Sequence, residues 1–81
     1  STQGVSSAAS DVYKRQALTQ LELAAELNPN DPVINDHLGD VYWMVNKHLQ
    51  ARFQWEKALL FDPQEYLIPI LEHKLLFGLD S

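Results

Sequence analysis

The stretch Asp31 to Pro63, DPVINDHLGDVYWMVNKHLQARFQWEKALLFDP, carries apolar and small residues at the spacing of two successive helices joined by a short turn. Read as one helix from Pro32 to about Val45 and a second from His48 to about Leu60, it places Ile34, Leu38, Val41, Tyr42 and Val45 on one stripe of the first. Ala51, Trp55, Ala58 and Leu59 form the facing stripe of the second. Gly39, Ala51 and Ala58 fall where antiparallel helices would touch. Their small size lets the axes approach while Tyr42 and Trp55 fill the space alongside, and Trp55 is expected to be the largest buried side chain between these two helices and the helix of Ala17 before them. This is a packing arrangement, not a catalytic one.

Turn signals frame it on both sides. Pro29 ends a preceding helix, Asp31 can cap the next, and Pro32 suits a first helical position. Asn46 stands where a left-handed residue would close the inner turn, with Lys47 and His48 beside it. Further on, Pro69 pushes Ile68 toward an extended conformation, so the last helix is expected to start near Ile68 or Pro69 and to stop at Gly78. The chain also repeats itself: Ala17 to Leu27 aligns with Ala51 to Phe61 at an offset of 34 residues, with Ala17, Gln20, Glu22, Ala24 and Pro29 recurring as Ala51, Gln54, Glu56, Ala58 and Pro63.

Eighty-one residues bound the chain to one small domain, which would bury only about 60% of its unfolded surface and gains from neighbours. A hydrophobic share of 46%, with little strand-like alternation and three glycines, points to an all-α class. The net charge of −5, with no basic cluster beyond Lys14 and Arg15, attracts neither a nucleic-acid backbone nor an anionic membrane surface. Cysteine is absent, which excludes disulfides and thiolate metal sites. No apolar run reaches the roughly 18 residues that span a bilayer.

Chemistry is sparse. His37 lies one turn from Asp40, an imidazole and carboxylate pair of the kind that ligates metals, and Asp36 and Asp40 could act as paired acids. Neither set is completed. There is no His-Glu-x-x-His, no Gly-rich phosphate loop and no nucleophile with a base partner. His48 and His73 fall on a turn and on a separate helix. The acids are read as a pair four residues apart on an exposed helix face. No catalytic residue, metal or cofactor is therefore expected.

The signature Leu38, Gly39, Tyr42, Ala51, Trp55, Ala58 and Pro63 resembles the tetratricopeptide repeat, with two departures: Asn35 stands where that family favours Trp, which removes a packing residue, and Trp55 where it favours Phe, which keeps one. The wording of 31–40 and 51–55 is similar to the last repeat of long bacterial, alphaproteobacterial proteins of this kind, and the ending Lys-Leu-Leu-Phe-Gly-Leu to the helix that closes their solenoid. The resemblance implies a right-handed α-solenoid of antiparallel helix pairs, divided into a second helix of an earlier repeat at 17–28, a complete repeat at 31–63 and a capping helix at 64–81. It implies a non-catalytic scaffold that stacks on neighbouring repeats and holds a partner protein or peptide in a concave groove. Carried onto this chain, that groove is lined by Val33, Asp36, His37, Asp40, Trp43 and Met44. Two carboxylates beside an indole favour a basic or mixed basic-apolar segment. Trp43 could instead pack on the closing helix. Relatives of this kind are commonly exported, which suggests the periplasm or outer membrane. The alternative function is an accessory repeat region of a larger enzyme.

Ser6 to Gln16 reads as the in-frame translation of a transposase-based sequencing-library adapter, with Ser1 and Thr2 fitting a flow-cell adapter and Gln3 to Val5 an index between them. Residues 1–16 are therefore expected to be foreign to the fold, and the chain to be a metagenomic fragment shortened on its N-terminal side. Gly4, Val5 and Ala8 match nothing in Leu38, Gly39 and Tyr42, where the first helix of the earlier repeat would lie. Few buried contacts are expected there, with a helix reaching back to about Val12. Deleting Ser1 to Gln16 is expected to leave the thermal melting midpoint nearly unchanged, and a large drop would show that the segment is part of the fold.

Overall fold

The computed structural model describes the backbone of residues 2–79 and the side chains of residues 12–79. Four helices follow in order: α1 (Thr2–Leu27), α2 (Pro32–Met44), α3 (His48–Leu60) and α4 (Leu67–Phe77), with no strand among the described residues. The fold is all-α. α1 packs on α2, α2 on α3 and α3 on α4.

Local chemistry sets the ends of these helices. The Asp31 carboxylate accepts hydrogen bonds from the Val33 and Ile34 amides at 2.9 and 3.3 Å, and Pro32 follows as the first helical residue. These contacts satisfy amides that a helix start leaves without partners. Asn46 adopts φ 65° in the inner turn, as its position in the sequence suggests. Asp62, at φ 57°, does the same after α3 and was not anticipated, although a short polar side chain tolerates this region. α4 begins one or two residues earlier than expected. Pro69 lies in its first turn, where the amide it lacks has no partner to lose, so Ile68 is helical rather than extended.

α1 is one continuous helix of 26 residues. It extends about ten residues further back than the sequence suggested. Adding a residue to an existing helix fixes one residue per hydrogen bond gained, whereas starting a new helix carries a nucleation cost. Within 12–16, Val12, Tyr13, Arg15 and Gln16 are exposed and Lys14 is half-buried. The expectation of few buried contacts for residues 1–11 lies outside the described side chains.

The core gathers around Trp55. It is fully buried together with Ala51, Ala58, Leu67 and Leu71, and Tyr42, Trp43, Leu59, Leu75 and Leu79 pack around this cluster. Leu38 is buried on the α2 stripe, with Ile34, Val41, Tyr42 and Val45 partly buried. Trp55 was expected between the two central helices and α1. Instead its cluster draws on α4 through Leu67 and Leu71, and α3 packs on α2 and α4.

Gly39 lets α2 and α3 approach closely: a Cβ there would stand 2.5 Å from Trp55 Nε1 and 3.0 Å from the Ala51 carbonyl oxygen. Gly39→Ala should favour the helix intrinsically by roughly 0.5–1 kcal/mol. Overpacking against a buried indole typically costs about 1–3 kcal/mol, so net destabilisation is expected in denaturant titrations. Trp55→Ala should cost about 3–5 kcal/mol, comparable with the whole stability of so small a unit. A stabilised Gly39→Ala protein, or a Trp55→Ala protein with an unchanged melt, would contradict this packing.

Candidate functional site

Asp36 and Asp40 sit four residues apart on α2, so one helical turn stacks their carboxylates on the same side. That side is covered. Lys74 of α4 places its ammonium 2.8 Å from Asp36 Oδ1 and 2.9 Å from Asp40 Oδ1, with Asp40 Oδ2 at 3.2 Å. The Lys74 and Asp36 side chains are 14% and 8% exposed, and that of Asp40 is 24% exposed. The reading of Asp36 as a solvated acid on an exposed face is corrected: it is buried, and its charge is met within the chain. A sequence in which both acids precede their lysine by more than thirty residues gives no local sign of the pairing.

The indole joins the same cluster. Trp55 Nε1 donates to Asp40 Oδ1 at 3.1 Å and lies 3.3 Å from the Asp36 carbonyl oxygen. A buried indole N–H needs an acceptor, and Asp40 supplies it. Burial alone, the largest single influence, would lower the Lys74 pKa. The hydrogen bonds and charges of Asp36 and Asp40 together outweigh it and hold the ammonium above its usual value.

Trp43 takes the packing role that sequence left as its alternative. It is partly buried, stacks on His48 with ring centroids 3.8 Å apart and lies 5.6 Å from the Trp55 ring. Gly78, the residue that closes α4, lies against its six-membered ring, so a Cβ at Gly78 would collide with Trp43 Cζ2 and Cη2. Gly78 also has φ 70° and ψ −161°, a region essentially restricted to glycine. His48 is the first residue of α3, where the second helix was expected to start. The His73 and Phe77 rings lie with centroids 4.8 Å apart, tilted by 47°.

The remaining groove residues from the sequence stay open. Val33 (39%), His37 and Met44 (49%) are exposed, and with Asp40 they recur at helical spacing along one face of α2. The six residues singled out thus divide: Val33, His37 and Met44 face outward, Asp36 and Trp43 turn into the fold, and Asp40 lies at the border.

Two further residues emerge only in the structure. Asn35, read as the loss of a packing residue, is fully buried, and its Nδ2 donates to the Pro29 carbonyl at 3.1 Å, fastening the start of α2 to the corner before it. Its Oδ1 has no protein partner. Tyr42 donates its hydroxyl to Glu22 Oε2 at 2.8 Å and so links α2 to α1. Burial, followed by the Glu22 hydrogen bond and charge, raises the Tyr42 pKa to about 12. Among the described residues, no group of three His, Cys, Asp or Glu side chains is placed to hold a metal. No described helix is long and apolar enough to cross a membrane.

Lys74→Met keeps most of the apolar stem but leaves a buried carboxylate uncompensated, at an expected cost of about 2–4 kcal/mol, moderated because the cluster is partly solvated. Adding Asp36→Asn and Asp40→Asn should recover part of that loss, whereas Lys47→Met, at an exposed site, should cost little. Lys74 and Tyr42 are both held protonated in the fold, so their contribution is complete below their unfolded pKa values and is lost as pH rises. For Tyr42 that window runs from pH 10 to about 12. Melts across alkaline pH should show the decline, and Tyr42→Phe should flatten part of it.

No family model, curated protein or solved structure matches the chain.

Proposed function

We propose that the chain is a non-catalytic protein–protein interaction module, the terminal part of a tetratricopeptide-like, right-handed solenoid of antiparallel helix pairs. In this reading α2 offers the binding face and α4 closes the solenoid. The observation that carries it is the division along α2. One side is committed to α1, α3 and α4 through Leu38, Gly39, Asp36 and Trp43, while Val33, His37 and Met44 form an exposed stripe with Asp40 at its edge.

That stripe combines apolar contact with a little negative charge. Lys74 neutralises one of the two carboxylates beside it, which leaves a net charge of −1 in the cluster. A partner segment with apolar anchors and a single Lys or Arg fits this face better than an acidic or a strongly basic one. The expectation that both acids would grip a basic peptide is narrowed accordingly, since Lys74 already occupies the position such a cation would take.

Peptides selected from a random displayed library on the wild-type chain should include binders rich in apolar residues with one basic side chain. Val33→Glu with Met44→Glu should weaken those binders by about tenfold or more, or about 1.4 kcal/mol. Leu60→Glu, an exposed apolar position on α3, should not. Equal affinity of all three proteins would place the binding surface elsewhere.

A further inference from the structure

α3 carries an apolar line on the side turned away from the core. Ala51, Trp55 and Ala58 are fully buried, whereas Leu49 (83%), Phe53 (62%) and Leu60 (80%) stand exposed on the opposite side of the same helix, at successive spacings of four and seven residues. The line runs for about 18 Å, with Glu56 between Phe53 and Leu60. Neither α2 nor α4, the helices packed on α3, covers it. One exposed leucine is ordinary, but three large apolar side chains in a row form a patch of the kind that marks an interaction site.

The internal repeat shows that packing does not require this line. At the offset of 34 residues, Phe53 and Leu60 correspond to Thr19 and Glu26 of α1, both exposed, whereas the buried Ala51 and Ala58 recur as alanines. Stacking of one helix pair on the next therefore proceeds with polar side chains at these positions, and the apolar ones are particular to α3. The charge here is particular as well. Residues 47–60 hold Lys47, Arg52 and Lys57 against Glu56, a net +2, while the rest of the chain sums to −7. Helical spacing sets Arg52 on one flank of the line and Lys57 on the other. Lys74, by contrast, is engaged by Asp36 and Asp40.

We propose that this face of α3 docks an acidic amphipathic helix of a partner protein, with Leu49, Phe53 and Leu60 receiving its apolar side chains and Arg52 and Lys57 meeting carboxylates on its two flanks. A straight apolar line at helical spacing is matched by apolar anchors three and four residues apart on the partner. Charge selects this occupant over two others. A second copy paired through the same line would set Arg52 and Lys57 against their own equivalents, like against like. An anionic bilayer would draw in α3 but repel the remainder of the chain at −7. A single acidic helix meets the basic strip alone. This surface makes no use of the Val33, His37 and Met44 stripe of α2, and stands or falls independently of it.

The test is fluorescence anisotropy of labelled synthetic peptides of about four helical turns, titrated with the full 81-residue chain. The first peptide carries Leu at alternating spacings of three and four, Glu on both flanks and Ala elsewhere; the second has Lys for Glu, and the third Ser for Leu. The first should bind about tenfold or more tightly than the other two, and more weakly as salt rises. Leu49→Gln with Phe53→Gln should weaken it by about tenfold or more, and Arg52→Glu should shift preference toward the Lys peptide. Val33→Gln with Met44→Gln should leave it unchanged. Circular dichroism reports whether these exposed substitutions keep the helices, and Leu60→Gln with Arg52→Gln replaces the first variant if it does not. Equal affinity for the three peptides, unchanged binding by the Leu49 and Phe53 variant, or loss of binding in the Val33 and Met44 variant would each overturn the proposal. So would a wild-type dimer that Phe53→Gln disperses in sedimentation velocity, which would make the occupant a second copy, or tighter binding to phosphatidylserine vesicles than to the Glu peptide, which would make it a bilayer.

Discussion

The rest of the structure depends on the Trp55 indole seated beneath Gly39. Its ring occupies the space that a Cβ at Gly39 would take, so the approach of α2 to α3 and the burial of the largest core side chain are one constraint. The indole brings a polar N–H into the interior, and Asp40 is the side chain that accepts it. A carboxylate so placed, with Asp36 one turn away, concentrates negative charge at the edge of the core. Lys74 neutralises part of that charge and orients α4. Packing, hydrogen bonding and charge are thus linked in sequence from one ring.

That linkage changes what two acids beside an indole signify. As a surface feature they would be bait for a cation from outside; in the fold the cation is internal, and the carboxylates anchor α4 through Lys74. Buried ion clusters seldom add large net stability compared with apolar packing, but a half-broken one is costly. The cluster therefore favours one docking of α4 over alternatives in which Lys74 would leave Asp36 unpaired. The contact of Gly78 with Trp43 fixes the end of the same helix by shape. The exposed stripe of α2, Val33, His37 and Met44, is the part that neither device uses.

The unequal surroundings of α1 and α3 show the limits of a repeat read as a unit. Identical residues at Ala17 and Ala51, or Ala24 and Ala58, meet different environments because burial belongs to the neighbours and not to the segment.

Much of the architecture was legible locally. Asp31 and Pro32 start α2, Asn46 turns the chain, and Gly78 stops α4, because capping and left-handed backbone depend on residues within a few positions of one another. The facing of Gly39, Ala51, Trp55 and Ala58 followed from helical periodicity and side-chain size. What sequence could not determine was which element covers a given face. Asp36 and Asp40 have the same spacing whether solvated or bridged, and Trp43 lies off the main stripe whether it meets solvent, His48 or Gly78. Asn35 looked like a lost ring until the Pro29 carbonyl was brought to its amide. Periodicity assigns a side chain to a side of its own helix; its partner is chosen only when a distant helix docks, and in this chain that decision belongs to the tertiary structure.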